Sequence, residues 1–437
     1  MQVDQQVKGT NQCAFHVEKR KRQCKLQVAK GLQYCGEHAF QHNLPTSKPR
    51  IQCPLDPKHS VFVHKLKKHL KICNSRPKDK PIYFEQNINI DQCEENYTGK
   101  KELASFTPQE VENIIKKAKA VQQGQLLEFQ ESVLHHEVLK AELDSAINGL
   151  SARKHLDQIS SILGNMKEAK LFAPNTFYIE YGAGKGRLSQ WIFEAVSDTP
   201  DTHFILVDRK NVRHKRDLHH KEVRKNLSME RLLIDIQDLA LNRVPAIKDN
   251  PDRPIVAYCK HLCGAATDLA LRSLFPHRLD RREDDQKTPT DSPSVKGVAM
   301  ATCCHHCCTW NSYVGKDFLA VHGFSRIEFE ALIRMSSWCV CGTRSEHGEE
   351  KMETKSDSQN GEAEKETLTS ALGLTIQQRE EIGHMCKRVL DAGRLEFLRK
   401  NGLTGNQVQY VKPSVTLENI MILANRREEN SDTLPNA

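Results

Sequence analysis

Short apolar runs alternate with amphipathic stretches from about residue 177 onward. Phe177–Tyr181, His203–Asp208, Arg231–Asp235, Pro254–Cys259 and Gly297–Thr302 read as strands, with helical spacing between them. After Gly186, a Leu188/Trp191/Ile192/Ala195 face predicts a helix directly behind the first strand, and Cys386–Arg399 reads as another. Val408–Val411 and Asn419–Ala424 lie close enough to form an antiparallel pair closing the sheet. Further upstream, Thr107-Pro108-Gln109-Glu110 has the cap, proline and acid of a helix start, and helical spacing continues from Val111 to about Leu163 through Ile114, Ala118, Val121, Leu134, Val138 and Leu150. That segment is expected to pack on its own chain or to form a short coiled coil, with Gly124 as an interruption. Residues 74–108 carry three prolines and read as a linker with one short ordered piece at Ile82-Tyr83-Phe84.

The alternation of strand and helix predicts an α/β domain over 156–425, preceded by a helical segment at 107–155. Polar insertions near 277–294 and 342–367 and the tail from Asn425 are expected to be disordered. Trp338 is expected to tie the segment before the second insertion to the core.

Three glycines at alternate positions, in Glu180-Tyr-Gly182-Ala183-Gly184-Lys-Gly186, join the first strand to its helix and let the backbone approach a ligand closely. Arg187 stands where a pyrophosphate-binding fingerprint needs its last glycine, which favours a methionine-bearing cofactor. Asp208 closes the next strand, 22 residues beyond Gly186, the distance at which a βαβ unit presents a ribose-binding acid. Two later strands run into Lys260-His261-Leu262-Cys263-Gly264 and Cys303-Cys304-His305-His306-Cys307-Cys308, at the crevice where cofactor and substrate meet. Lys260, His261 and His305 qualify by type as a base that removes a hydroxyl proton. Six adjacent residues cannot all turn toward one tetrahedral ion, so the thiols and imidazoles of 303–308 are expected to line the pocket.

Fifteen cysteines and 20 histidines point to zinc and reduced thiols. At 10–42, Cys13, Cys24, Cys35 and His38 form a C-x10-C-x10-C-x2-H set in a region too poor in apolar residues to fold without metal. At 50–77, Cys53, His59, His69 and Cys73 follow a C-x5-H-x9-H-x3-C spacing, with His64 an alternative to His59. His69 and Cys73, four residues apart, share a helix face. Two zinc ions are expected. Residues 1–80 hold 17 Lys and Arg against 5 Asp and Glu, so the N-terminal part is strongly basic although the whole chain is only +8. A concentrated positive module suggests a phosphate-rich partner. No apolar run reaches the length of a membrane span, and the first residues lack a secretory pattern. An intracellular protein, of nucleus and/or cytoplasm, is expected.

Glu-x-Gly-x-Gly-x-Gly resembles the first motif of class I, Rossmann-like methyltransferases, which bind S-adenosylmethionine. The resemblance implies that Glu180, Gly182, Ala183, Gly184 and Gly186 shape the cofactor loop, that Asp208 takes the ribose hydroxyls, and that Asp235 and Ile236 flank the adenine. Cys53-Pro-x-Asp-x-x-His59 and Leu66-x-x-His69-Leu-x-x-Cys73 resemble the CHHC zinc finger, whose settings imply an RNA partner; this favours His59 over His64. With the cysteine-rich N-terminus, Lys260-His-Leu-Cys-Gly264 and Cys303-Cys-His-His306, nearly the whole chain resembles the eukaryotic tRNA 2′-O-ribose methyltransferases of the acceptor stem, number thirteen in the Trm series. This implies methylation of the fourth nucleotide, a cytidine or adenosine, in a subset of tRNAs. The Lys-Asp-Lys-Glu tetrad of many other ribose methyltransferases is not assignable in order here. Two alternatives remain: a non-catalytic zinc-finger RNA-binding protein on a methyltransferase scaffold, and an enzyme acting on a base nitrogen or a protein. No Asn-Pro-Pro-Tyr-like motif follows Ala257-Tyr258-Cys259, which disfavours the nitrogen acceptor.

Overall fold

Both faces of a parallel sheet are covered, so its strands are apolar almost without interruption. Phe177–Tyr181 is such a strand, buried at all five positions. It lies inside an eight-stranded sheet of a computed structural model. The model describes residues 12–18, 22–73, 75–76, 79–91, 102–124, 130–210, 227–276, 293–340 and 372–426. The expected insertions, apart from Pro293 and Ser294, and the tail beyond Arg426 fall outside the described residues. The chain divides into two compact units, 1–81 and 82–437. No helix among the described residues is long and apolar enough to cross a membrane.

In the N-terminal unit, two short strands (β1, His16–Val17; β2, Arg22–Gln23) and a helix (α1, Gly36–Gln41) precede a hairpin (β3, Arg50–Cys53; β4, Asp56–Phe62) and a helix (α2, Leu66–Ile72). Arg50 ties the first module to the second. Its guanidinium pairs with Glu37 and donates to the Ser60 carbonyl at 2.7 Å, while Ser60 N–H donates to Glu37 at 2.7 Å. A side chain at position 36 would place its Cβ 2.7 Å from the Arg50 guanidinium, which would have to shift to make room.

In the larger unit the strands are β5 (Gln130–Glu131), β6 (Phe177–Tyr181), β7 (Thr202–Asp208), β8 (Leu227–Leu233), β9 (Ile255–Cys263), β10 (Val295–Cys303), β11 (Leu403–Gln409) and β12 (Ile420–Arg426). Their spatial order is β5-β11-β12-β10-β9-β6-β7-β8. From β8 to β10 neighbours are parallel; β12 is antiparallel to both β10 and β11. The chain runs outward from β6 through β7 to β8 and returns on the other side of β6 as β9. That reversal opens a crevice at the carboxyl ends of β6 and β9, where open sheets bind ligands. The expected C-terminal antiparallel pair is β11 and β12, with β12 inserted between β10 and β11.

Helical spacing does not become one helix over Val111–Leu163. Helix α3 (Pro108–Gln123) starts at the Thr107–Glu110 capping box and ends at Gly124. A short strand (β5) and a short helix (α4, Lys140–Asp144) intervene before α5 (Leu150–Glu168). Leu134 lies in no helix and packs where Gly164 leaves room, and Leu150 is 82% exposed. The buried face of α3, with Val111, Ile114, Ile115, Ala118 and Val121, joins the core formed by Ala331, Leu332, Trp338 and the helix Ile376–Lys400. Packing on its own chain therefore describes α3. Helix α5 buries Ile159, Ile162 and Met166 beside Tyr178 and Phe204 of the sheet.

A buried ionic cluster joins the helix Ala265–Leu274 to Ile376–Lys400. Arg394 donates to both oxygens of Asp268 at 3.1 and 2.6 Å, to Asp391 at 2.7 Å and to the Cys308 sulfur at 3.1 Å. Each of these charges is almost fully excluded from solvent, so removing one strands the others. Asp268→Ala is expected to lower unfolding free energy by about 3–5 kcal/mol in urea denaturation. Glu396→Ala, which removes an exposed pair with Arg399, should leave the midpoint nearly unchanged.

Candidate functional site

All three glycines of the loop after β6 have left-handed backbones, with φ of 67°, 50° and 68° at 182, 184 and 186. A Cβ at 182 would also stand 2.9 Å from Leu262. Glu180 does not face the crevice. It is 4% exposed beneath the loop, where the hydroxyl and the backbone N–H of Ser189 (3.1 Å) both donate to it. Ser189 is the third residue of α6 (Arg187–Ala195), so the carboxylate satisfies one of the helix's unpaired amides. Burial pushes Glu180 up to about 7 against the pull of those hydrogen bonds. Ser189 also shares a 2.7 Å hydrogen bond with Tyr258 on β9, joining strand, helix and strand.

Asp208 ends β7 and reaches back to the loop, accepting from Gly184 N–H at 2.7 Å. Arg231 of β8 donates to the Gly184 carbonyl at 3.1 Å, bracing the loop from the same side. Strand β8 stops at Leu233, earlier than expected, and Asp235 instead caps the turn Ile236–Asp238. Ile236 is buried there. The turn is held from below by residues 83–91. Ala240 N–H donates to the Tyr83 carbonyl, Asn89 N–H to Gln237, and the buried Asn89 amide to the carbonyls of Ile236 (2.7 Å) and Leu239 (2.9 Å). The short ordered piece expected in the linker is thus part of a longer strap.

Strand β9 runs on to Cys263, so Lys260 and His261 belong to the strand end, not to a loop. Lys260 Nζ lies 2.5 Å from His155 Nδ1 of α5. Burial and the Arg187 charge push Lys260 down to about 7, while burial and the Lys260 charge push His155 down to about 4. Both shifts favour the neutral forms of the pair. His261, exposed and at φ 62°, lies 3.2 Å from Gln158 of the same helix. His155 and Gln158 had no sequence motif to announce them.

His305 stands apart from that pair. It is 1% exposed, its Nε2 is 3.0 Å from Asp391, and Asp391 also accepts from Thr302 at 3.0 Å. Burial favours the neutral Asp391, yet the charges of His305 and Arg394 hold it down at about 2. A cavity of about 750 Å³ borders this cluster, with Thr302, His305, Lys387 and Glu418 in its wall. Thr302 is paired in register with Leu262, yet no residue of β9, the glycine loop or α5 lines this cavity.

The N-terminal unit brings together both sets of zinc ligands. The ligand atoms of Cys13, Cys24, Cys35 and His38 all lie within 4.8 Å of one another, as do those of Cys53, His59, His69 and Cys73. In the first set, His38 Nδ1 is 3.4 Å from Cys13 and 3.3 Å from Cys35. In the second, His59 Nε2 is 3.1 Å from His69 Nε2 and its Nδ1 is 3.5 Å from Asp56. A carboxylate behind the far nitrogen is the support that zinc-binding histidines use. His64 is outside the group and stacks on Phe62. Cysteine with histidine in sets of four is the donor chemistry of closed zinc sites.

Residues 157–425 match the family described as Methyltransferase TRM13. Residues 11–39 match the CCCH zinc finger in TRM13 protein, and 50–74 the U11-48K-like CHHC zinc finger. The mouse (Mus musculus) protein named tRNA:m(4)X modification enzyme TRM13 homolog is 38% identical, with 94% of each chain covered. The human (Homo sapiens) protein of the same name is 37% identical over the same share. The Saccharomyces cerevisiae tRNA:m(4)X modification enzyme TRM13 is 30% identical over 95% of this chain and 96% of its own.

Cys53→Ala is expected to cost the protein one bound zinc, read by elemental analysis. Asp56→Ala should keep that zinc but weaken it about 10–100-fold in competition with a chelator.

Proposed function

The chain belongs to the TRM13 methyltransferase family, and from that premise we propose that it transfers a methyl group from S-adenosylmethionine to the ribose 2′-hydroxyl of the fourth nucleotide of the acceptor stem in a subset of tRNAs. Taken outward from the parallel edge, the strands β8-β7-β6-β9-β10-β12-β11 have the order and the single antiparallel insertion that support a class I, Rossmann-like fold. The cofactor reading rests on the left-handed glycine loop with Asp208 at its edge. In it the loop backbone would pack against the methionine and ribose, Asp208 would hold the ribose hydroxyls, and Asp235 and Ile236 would flank the adenine. S-adenosylmethionine, when bound, supplies a methyl group on a positively charged sulfur.

The observation that carries the chemistry is Lys260 against His155. With its affinity for a proton lowered to about 7, the amine is largely neutral at physiological pH and could take the 2′-hydroxyl proton as the oxygen bonds the methyl carbon and the carbon–sulfur bond breaks, its electron pair going to the departing sulfur. His155, 2.5 Å away, holds the amine in place at the end of β9. The cavity of about 750 Å³ is walled by α3, the helix Ile376–Lys400 and His305; neither Lys260, His155, Asp208 nor the glycine loop lines it, so it is not read as the acceptor pocket. His305, held by Asp391, is better suited to shaping that wall than to moving a proton. The basic zinc unit supplies phosphate contacts; A-form RNA presents its 2′-hydroxyls across a shallow groove that is read by shape and backbone. A reducing intracellular compartment, nucleus or cytoplasm, suits the free thiols and zinc sites.

Two variants separate binding from chemistry. Asp208→Ala is expected to weaken cofactor binding in calorimetry, whereas Lys260→Met leaves binding within about 3-fold and lowers single-turnover methylation by about 10²–10⁴-fold. The wild-type rate should rise with pH through about 7, because the protonated amine below that value cannot accept a proton. A Lys260 variant with normal turnover, or one keeping the same rising limb, removes this lysine as the base.

A further inference from the structure

Strands β9 and β10 end side by side, with Cys263 paired in register with Cys303. The ladder between them is irregular just before this pair, where Ala301 faces Lys260 and Thr302 faces Leu262. One residue of β9 is therefore bulged out, and that residue is His261, at φ 62°. Cys304, immediately after β10, is also left-handed at φ 51°. Two non-glycine residues in this region are uncommon, and both turn the strand ends toward one point. Gly264 completes the approach: a Cβ there would stand 2.6 Å from the backbone of Cys307, so only glycine lets the 304–307 turn close over the end of β9.

The outcome is three sulfur atoms at one place. Cys263 and Cys303 are 3.5 Å apart, and the Sγ atoms of Cys263, Cys303 and Cys304 all lie within 4.8 Å of one another. Sulfurs around a tetrahedral zinc, each about 2.3 Å from the ion, stand about 3.8 Å apart. The two zinc fingers provide an internal standard, since their ligand atoms meet within the same 4.8 Å limit. Six consecutive residues at 303–308 could not surround one ion; two of them joined by Cys263 from the adjacent strand can.

We propose that Cys263, Cys303 and Cys304 form a third metal site, a three-thiolate site for Zn²⁺ whose fourth position is open to solvent. The openness follows from the exposed Cys263 and from the lack of a fourth Cys, His, Asp or Glu ligand atom in the group among the described residues. Zinc binding to thiolates displaces their protons to solvent and needs no oxidant. Such an ion would pin the end of β9 to the turn after β10, three residues beyond Lys260. The site stands on its own geometry, whichever acceptor the enzyme methylates.

The test is zinc content of the full-length protein, purified under reductant and passed over a chelating resin. Wild type is expected to hold three zinc ions per chain, the sum of the three groups. Cys263→Ala and Cys304→Ala should each hold two, with unchanged circular dichroism, and Cys53→Ala/Cys263→Ala should hold one. Titration of the metal-free protein with Cd²⁺ provides a second readout, because its sulfur-to-metal absorption should fall in Cys263→Ala. Cys263 is exposed and Cys304 lies on a turn, so one of the two variants should fold even if the other does not. Two zinc ions in wild type and still two in Cys263→Ala would overturn the site. So would a Cys263–Cys303 disulfide that forms on mild oxidation equally fast with and without added Zn²⁺.

Discussion

The hydrogen bonds meeting at Ser189 fix the geometry on which the catalytic unit depends. Glu180 comes from the strand before the glycine loop, Ser189 from the helix after it, and Tyr258 from the neighbouring strand that ends in Lys260. All three are buried. Polar groups removed from water tolerate little displacement, because each lost partner carries a desolvation cost. The loop that would hold a methyl donor and the strand that carries Lys260 are therefore locked in one register, with Glu180 opposite Tyr258. Positioning of this kind is where transfer enzymes gain much of their rate.

Around this joint the protein repeats one device, a polar side chain reaching a backbone or charge far away in sequence. Asn89 holds the Ile236–Leu239 turn, Arg394 binds Asp268 to Asp391, and His155 meets Lys260. These contacts give the crevice a defined wall where a purely apolar core would allow sliding. The N-terminal unit depends on metal instead. Its apolar content is a handful of residues around Cys13, Cys24 and Cys35, so the ligand sets do the work that a hydrophobic core does elsewhere.

Periodicity made the central sheet legible. Phe177–Tyr181, the strand ending at Asp208 and the C-terminal pair were all predictable because buried parallel strands are apolar and glycines mark the turn behind the first of them. Ligand spacing likewise announced the zinc fingers. What escaped had no local signature. His155 lies just ahead of the domain expected from Leu156, and one histidine on an amphipathic helix looks like any surface residue. Glu180 was expected to shape the cofactor loop, but its partner Ser189 was not legible, because that interaction depends on how helix α6 leaves the loop. Leu134 and Leu150 fitted a helical repeat by coincidence of spacing; one lies outside a helix and the other faces solvent. The pairing of Cys263 with Cys303 follows from strand register, which no short stretch of sequence specifies.

The central claim is methyl transfer to a ribose hydroxyl of tRNA, and its most direct measurement is labelled methyl transfer from S-adenosylmethionine to unmodified tRNA, followed by nuclease mapping of the product. The account predicts label as a 2′-O-methylnucleotide at the fourth position of the acceptor stem, resistant to cleavage on its 3′ side. Label on a base, or no label despite measurable binding of S-adenosylmethionine, would contradict it.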